Sequence, residues 1–281
     1  MTLPTHRAAA LGALAALALA GCTAAGATGS AATIEIEDNH GVQAVPATPE
    51  RVIATDNRLF QTLSEWGIEL IAAPVNLIAA DNPYKTDASI VNLGSHAEPD
   101  LEAVVAVEPD LILNGQRFAQ YYADLAALAP EAAIVELDPR EGEPFDAELR
   151  RQVTVLGEIF DREDEAAVLV AAFDAAVERV RAAYDPADTV MDVITSGGEI
   201  NFAAPGTGRT LGPVFDILGL TPAIAVEGTS DHQGDDISVE AIAASNPAII
   251  LVMDRDAGVN ASSGSDYTPA AELLANSEAG V

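Results

Sequence analysis

The chain is short of three things. It has one cysteine, Cys22, so no disulfide forms within it. It is poor in positive charge: 13 Lys and Arg stand against 44 Asp and Glu, a net charge of −31. Nucleic-acid binding needs a basic footprint on the phosphates, and adsorption to anionic lipid needs a basic patch, so the composition argues against both. It also lacks any apolar run of the roughly 20 residues that cross a bilayer as a helix. The run at 8–20, "AAALGALAALALA", has only 13. Signature motifs of catalysis are missing as well. There is no G-x-S-x-G and no H-E-x-x-H, and "PGTGRT" fails as a phosphate loop because Ala203 and Arg209 stand where Gly and Lys belong. The expectation is a protein that catalyses nothing. What the chain does have is apolar content, 49%, enough for one large core or two ordinary ones.

The 13-residue run follows Arg7 and fits the core of an export signal. "LAGC" (Leu19–Cys22) comes next, and small residues before a single Cys resemble the lipobox of bacterial lipoproteins. That resemblance implies cleavage before Cys22 and lipidation of its thiol, and two acyl chains anchor stably where one is marginal. Residues 1–21 are therefore expected to be a signal peptide. Residues 22–32, ending "TAAGATGSAA", read as a lipidated flexible tether.

From residue 33 the text becomes globular. Residues 51–138 alternate apolar strand patterns with helix patterns, β-α-β-α-β-α-β, a small parallel α/β lobe. Residues 144–184 are helical nearly throughout, with a possible break near 157–164. After "DPAD" the α/β rhythm restarts. The boundaries expected are 33–143 for the first lobe, 144–186 for the helical connector and 187–281 for the second lobe. One phrase appears twice. "DLEAVVAVEPDLIL" (100–113) and "ISVEAIAASNPAIILV" (237–252) each carry a Glu (Glu102, Glu240), a helix pattern, a Pro seven residues on (Pro109, Pro247) and a buried-looking strand; the first, "DLILN", is continuous and apolar, as parallel strands covered on both faces are. The two phrases read as equivalent helix–strand units, one per lobe.

Two α/β lobes, a helical connector and a lipobox together resemble the substrate-binding lipoproteins of iron-siderophore and cobalamin ABC importers. "LILNGQR" (111–117), "APGTGRTLG" (204–212), "TSDHQGDDISVEAI" (229–242) and "LVMDRDAG" (251–258) look most like the branch that binds ferric catecholate siderophores. The resemblance covers about 33–281. It implies two parallel-sheet lobes joined by a long rigid helical connector, a ligand held between the lobes, no intrinsic cofactor, and delivery to an ABC permease dimer with its ATPase. It implies a monomer on the outer face of the cytoplasmic membrane. It also implies that the second lobe is incomplete, since relatives continue with a further strand and a closing helix. Glu102 and Glu240 match the acidic residues that meet arginines of the permease halves, one per lobe. As helix-start glutamates they also suit the helix dipole without any partner.

A ferric tris-catecholate carries a charge of about −3, and its attraction to cations grows as water is excluded. Arginine suits it, with a planar fork for the oxygens and a face for the rings. Outside the signal and 140–181 the cations are Arg51, Arg58, Lys85, Arg117, Arg209 and Arg255. Arg117 and Arg255 each follow a predicted strand and Arg209 sits in a Gly-rich turn, where α/β lobes place ligand groups. All three match ligand arginines of the catecholate branch; the competing expectation is that each neutralises a neighbouring acid such as Asp254 or Asp256. His232 matches a loop histidine that completes iron coordination in some members, and imidazole can ligate iron. Arg58, Tyr121, Tyr122 and Tyr267 are candidate neighbours. A hydroxamate siderophore, haem or cobalamin on the same fold is the alternative ligand. A zinc or manganese importer's binding protein wants several His or carboxylates, and only His40, His96 and His232 follow the leader.

Overall fold

The computed structural model describes residues 32–258 and 266–276. The predicted signal, Cys22 and all but the last residue of the tether lie outside the described residues. Among the described residues no helix is long and apolar enough to cross a membrane.

The chain enters through an antiparallel hairpin, β1 (Thr33–Asp38) and β2 (Gly41–Pro46), whose alternating pattern buries Ile36 and Val45. The first lobe then builds β3 (Val52–Ala54), α1 (Phe60–Glu65), β4 (Ala72–Ala73), β5 (Val91–Asn92), α2 (Leu101–Ala106), β6 (Leu111–Asn114), α3 (Tyr122–Leu128) and β7 (Ala133–Glu136). The sheet is parallel throughout, in the order β5-β4-β3-β6-β7. Side chains alternate across it. Val52, Ala54, Leu111 and Leu113 face a core shared with Phe60 and Leu63 of α1, while Ile53 and Ile112 face Val104 of α2 and Leu125 of α3. Each fully buried aliphatic side chain contributes about 1.5–3 kcal/mol.

The connector is two helices, α4 (Phe145–Phe160) and α5 (Glu163–Ala183). The break falls at Asp161, which is left-handed (φ 55°), and the N–H of Arg162 closes on the Gly157 carbonyl at 2.9 Å. A Cβ on Gly157 would lie 2.8 Å from the Ala166 Cβ, so glycine permits the close crossing of the two helices. Leu156 and Ile159 root α4 in the first core, and α5 packs against α6 of the second lobe.

The second lobe contains β8 (Thr189–Ser196), β9 (Glu199–Phe202), α6 (Gly212–Leu218), β10 (Thr221–Pro222), β11 (Asp235–Asp236), α7 (Val239–Ser245), β12 (Ile249–Asp254) and α8 (Ala270–Asn276). Strands β10, β8 and β12 are parallel, and β9 and β11 add an antiparallel extension. Gly197 and Gly198, both at positive φ, make the tight β8–β9 turn, so the extended "GEINF" pairs back on β8.

The duplicated phrase folds the same way twice. The side chain of Asp100 accepts the Ala103 N–H at 3.0 Å, and that of Ser238 accepts the Ala241 N–H at 3.1 Å. Glu102 and Glu240 stand two residues past these caps, both exposed. Each unit leaves its helix through a left-handed residue at φ 45°, Glu108 or Asn246, directly before the Pro. The strands that follow pair in the same register, Val52 with Leu111 and Val190 with Ile249. One constant sequence offset relates every one of these pairs, and it carries Arg117 onto Arg255.

The equivalence is one of backbone, not of burial: Leu111 and Asn114 are buried where Ile249 and Val252 are exposed. Ala54 of β3 corresponds to Asp192 of β8, fully buried, with neither carboxylate oxygen meeting a hydrogen-bond partner among the described residues. Burial pushes its pKa up to about 7, against about 3.9 in an unfolded chain. Between those values the folded state holds a proton that the unfolded state releases, so rising pH removes stability across about pH 4 to 7 and no more above it. The Asp192→Ala variant, which copies the first lobe, should lose this dependence. At pH 8 it should gain on the unsubstituted chain by up to about 4 kcal/mol relative to their difference at pH 4. Thermal unfolding midpoints of the two proteins across pH 4–8 check this; curves that stay parallel would count against it.

Candidate ligand cleft between two walls

A cleft of about 750 Å³ is lined by Asn57, Arg58, Leu77, Gln116, Arg117 and Phe145 on one side and by Arg209, Thr210 and Ser230 on the other. The first set follows strand ends of the first lobe or opens α4; the second set lies in loops of the second lobe.

The first wall is built at the carboxyl ends of β3, β6 and β7. Strand β6 ends at Asn114, and Gly115 (φ 157°) passes so close to buried Asp56 that a Cβ there would lie 2.8 Å from its Oδ2. Gln116 then takes a left-handed conformation, φ 55°, and its N–H donates to both Asp138 carboxylate oxygens at 3.0 and 3.1 Å. This turn delivers Arg117. Arg58 reaches the same wall, but its Nε and terminal nitrogen donate to Asp56 at 3.0 and 2.5 Å, and it also pairs with Asp138. Its charge is spent on two carboxylates.

The second wall is the loop between β9 and α6. Gly208 is wound tightly onto Ala204: its N–H donates to the Ala204 carbonyl at 2.7 Å, and a Cβ would lie 2.5 Å from the Ala204 nitrogen. Only glycine fits that approach. Arg209 follows, then Thr210 at φ 70°, a costly conformation for a β-branched residue. Strained backbone at 116 and at 210 thus flanks an arginine on each wall. Such positions cost about 1–3 kcal/mol each and gather at ligand sites.

Arg117 and Arg209 make no ion pair among the described residues; there the one partner of the Arg117 guanidinium is the His96 ring, at 3.4 Å. Arg255 is placed differently. It is half-buried, is not among the cleft-lining residues, and donates to Ser196 Oγ at 3.0 Å. The competing expectation for it does not hold. Asp254 accepts the Ala257 and Ala270 N–H groups, which with the Thr195 hydroxyl hold its carboxyl below the usual range, and Asp256 accepts the Gly197 and Gly198 N–H groups at 2.9 Å. Both acids brace the backbone around Arg255, and among the described residues its guanidinium pairs with no carboxylate.

His232 is exposed, 3.8 Å from Asp231, and is not part of the lining, although Ser230 of the same loop is. Tyr122 stacks on His40 at 3.8 Å, and His40 bonds Glu136 at 2.6 Å, so this tyrosine belongs to a polar network behind β6 and β7. Burial, and the nearby Asp38 and Glu136 charges, push its pKa up. Tyr121 donates to the His96 carbonyl at 2.7 Å, and Tyr267 is 39% exposed. Asn57, Leu77, Phe145 and the two strained residues were not expected at the cleft. A left-handed Gln or Thr has no sequence signature, whereas Phe145, opening the connector helix next to a lobe, is a position the pattern could have suggested.

Two α/β lobes, a paired-helix connector and a cleft at the strand ends make a two-lobe architecture suited to holding a small ligand. The chain belongs to the periplasmic binding protein family, which it matches over residues 52–279. The ferric-anguibactin-binding protein FatB of Vibrio anguillarum is 31% identical over 227 residues, 80% of this chain and 69% of that one. The petrobactin-binding protein YclQ of Bacillus subtilis is 26% identical, over 80% of this chain and 70% of that one. Among solved structures, the siderophore binding protein BauB, bound to a complex of two acinetobactin molecules and ferric iron, superposes with a TM-score of 0.73 at 25% identity, covering 89% of this chain and 87% of that one.

Proposed function

We propose that the cleft captures an anionic ferric siderophore of the catecholate type and that the chain hands it to the permease dimer of an ABC importer for iron uptake. The observation that carries this reading is the pair Arg117 and Arg209, two guanidinium groups without a carboxylate partner among the described residues, one on each wall of one cleft. On a chain of net charge −31 such a pair is a local positive field that draws in an anion the remaining surface repels. Relatives named for ferric-anguibactin and petrobactin binding, and a solved siderophore binding protein that holds ferric iron, support a ferric siderophore as the ligand. Arg255, equivalent by sequence offset to Arg117, and His232 are reserve contacts for a ligand that reaches past the lining. The chain itself performs no chemistry; it acts as a monomer, tethered by lipid on Cys22 at the outer face of the cytoplasmic membrane. Glu102 and Glu240, exposed at matching helix starts, each meet one permease half.

A fluorescence titration of the whole chain, read through Trp66, separates the candidate ligands. Ferric tris-catecholate should bind at least tenfold tighter than a neutral ferric hydroxamate, haem or cobalamin, and its affinity should fall as salt rises. Equal affinity across the panel, or tightest binding to an uncharged complex, would contradict the catecholate reading.

A further inference from the structure

We propose that His96 is a positioning residue for Arg117: a neutral acceptor that aims the guanidinium without neutralising it. The inference deepens the functional reading above and rests on it for the identity of the ligand.

The loop carrying His96 is held by its own bonds. The Asp100 N–H donates to the Leu93 carbonyl at 2.9 Å, and Ser95 Oγ accepts the Ala97 and Glu98 N–H groups at 3.3 and 3.4 Å. Gly94, at φ 76°, bridges to Pro99. This closed loop is fastened to the turn that bears Arg117. Tyr121, four residues beyond Arg117, donates its hydroxyl to the His96 carbonyl at 2.7 Å, and its ring lies 5.8 Å from that of buried Phe118. The second fastening is the contact between an Arg117 terminal nitrogen and His96 Nε2, at 3.4 Å.

The chemistry of that contact is one-directional. A guanidinium only donates, so Nε2 must accept, and the ring's single proton then sits on Nδ1. Nδ1 is buried and meets no partner among the described residues. A buried polar atom left unsatisfied is a cost that needs a reason, and orientation of Arg117 by the opposite nitrogen supplies one. Arg58 shows the alternative in the same wall, where two carboxylates hold the guanidinium and cancel its charge. An imidazole fixes direction and leaves the full positive field for the ligand. Ordering a long side chain before binding removes part of the entropy cost of holding it afterwards, worth several-fold in affinity.

The test uses the whole chain with His96→Leu and His96→Gln, each alone and combined with Arg117→Gln, titrated with a ferric tris-catecholate. Removing the acceptor with leucine should weaken binding about three- to tenfold, and glutamine, whose amide oxygen can accept, should restore most of it. In the Arg117→Gln background the His96 substitutions should change affinity less than twofold. A His96→Leu effect of equal size in that background would overturn the proposal, since His96 would then touch the ligand itself or act only on the fold; so would an affinity that no His96 substitution alters. A ligand-free arm decides independently. Imidazole nitrogen NMR at pH 8 should show the His96 ring protonated on Nδ1, with the Nε2 resonance moving on Arg117→Gln. An Nε2-protonated ring, or a resonance that does not move, would overturn it. Failure of the unsubstituted chain to bind any ferric complex contradicts the functional reading alone, and the NMR arm still decides the positioning.

Discussion

Replacing Arg117 and Arg209 together by glutamine should weaken ferric catecholate binding by about two to four orders of magnitude. Each arginine offers charge-assisted hydrogen bonds worth about 1.5–3 kcal/mol to an anionic ligand, and a factor of ten corresponds to about 1.4 kcal/mol. The effect should be large because neither side chain pairs with a carboxylate among the described residues, which leaves the field of both to the ligand. Fold stability should change little, since no ion pair among the described residues is broken. Arg255→Gln should cost less than either, because its guanidinium bonds Ser196 and is not part of the lining. Arg58→Gln should do the reverse: it leaves Asp56 and Asp138 uncompensated and lowers stability more than it lowers affinity. Isothermal titration and thermal unfolding of these variants separate the outcomes. Unchanged affinity in the Arg117/Arg209 variant would remove the electrostatic basis of the account.

The second large effect concerns delivery. With Glu102→Ala and Glu240→Ala combined, siderophore-dependent iron uptake should collapse while ligand affinity stays within about twofold, because rim charges govern encounter and register. Both side chains are exposed on first turns of matched helices, and neither lines the cleft. Loss of a helix-dipole contact costs only about 0.3–1 kcal/mol per site, too little to unfold the chain. Uptake of radiolabelled iron by cells carrying the variant checks this, with titration of the isolated protein as control. Undiminished uptake would leave the two glutamates as ordinary helix-start residues.

What could be read from the sequence was local. Strands β6 and β12 are continuous apolar runs, and the helices before them carry a capping side chain at one end and a Pro beyond the other, so the duplicated unit was visible before any coordinates. Arg117 and Arg209 were legible for the same reason: one follows a strand, the other sits among glycines ahead of a helix. What escaped depends on distant partners. Arg58 looks as free as Arg117 in the sequence, and its compensation comes in part from Asp138, 80 positions away. His96 looks like a loop residue until Arg117 is brought beside it from 21 positions on. The antiparallel pairing of β9 with β8 and β11 is set across the sheet, which no local periodicity encodes. Asp192 reads as one polar interruption in an apolar strand, and only its burial shows it to be an unpaired acid.

A structure of the whole chain bound to a ferric tris-catecholate tests the central claim most directly. The account predicts the complex seated between the Gln116–Arg117 turn and the Arg209–Thr210 turn, with both guanidinium groups within about 3 Å of catecholate oxygens. A ligand bound elsewhere, or one held between the walls while Arg117 and Arg209 turn away from it, would contradict it.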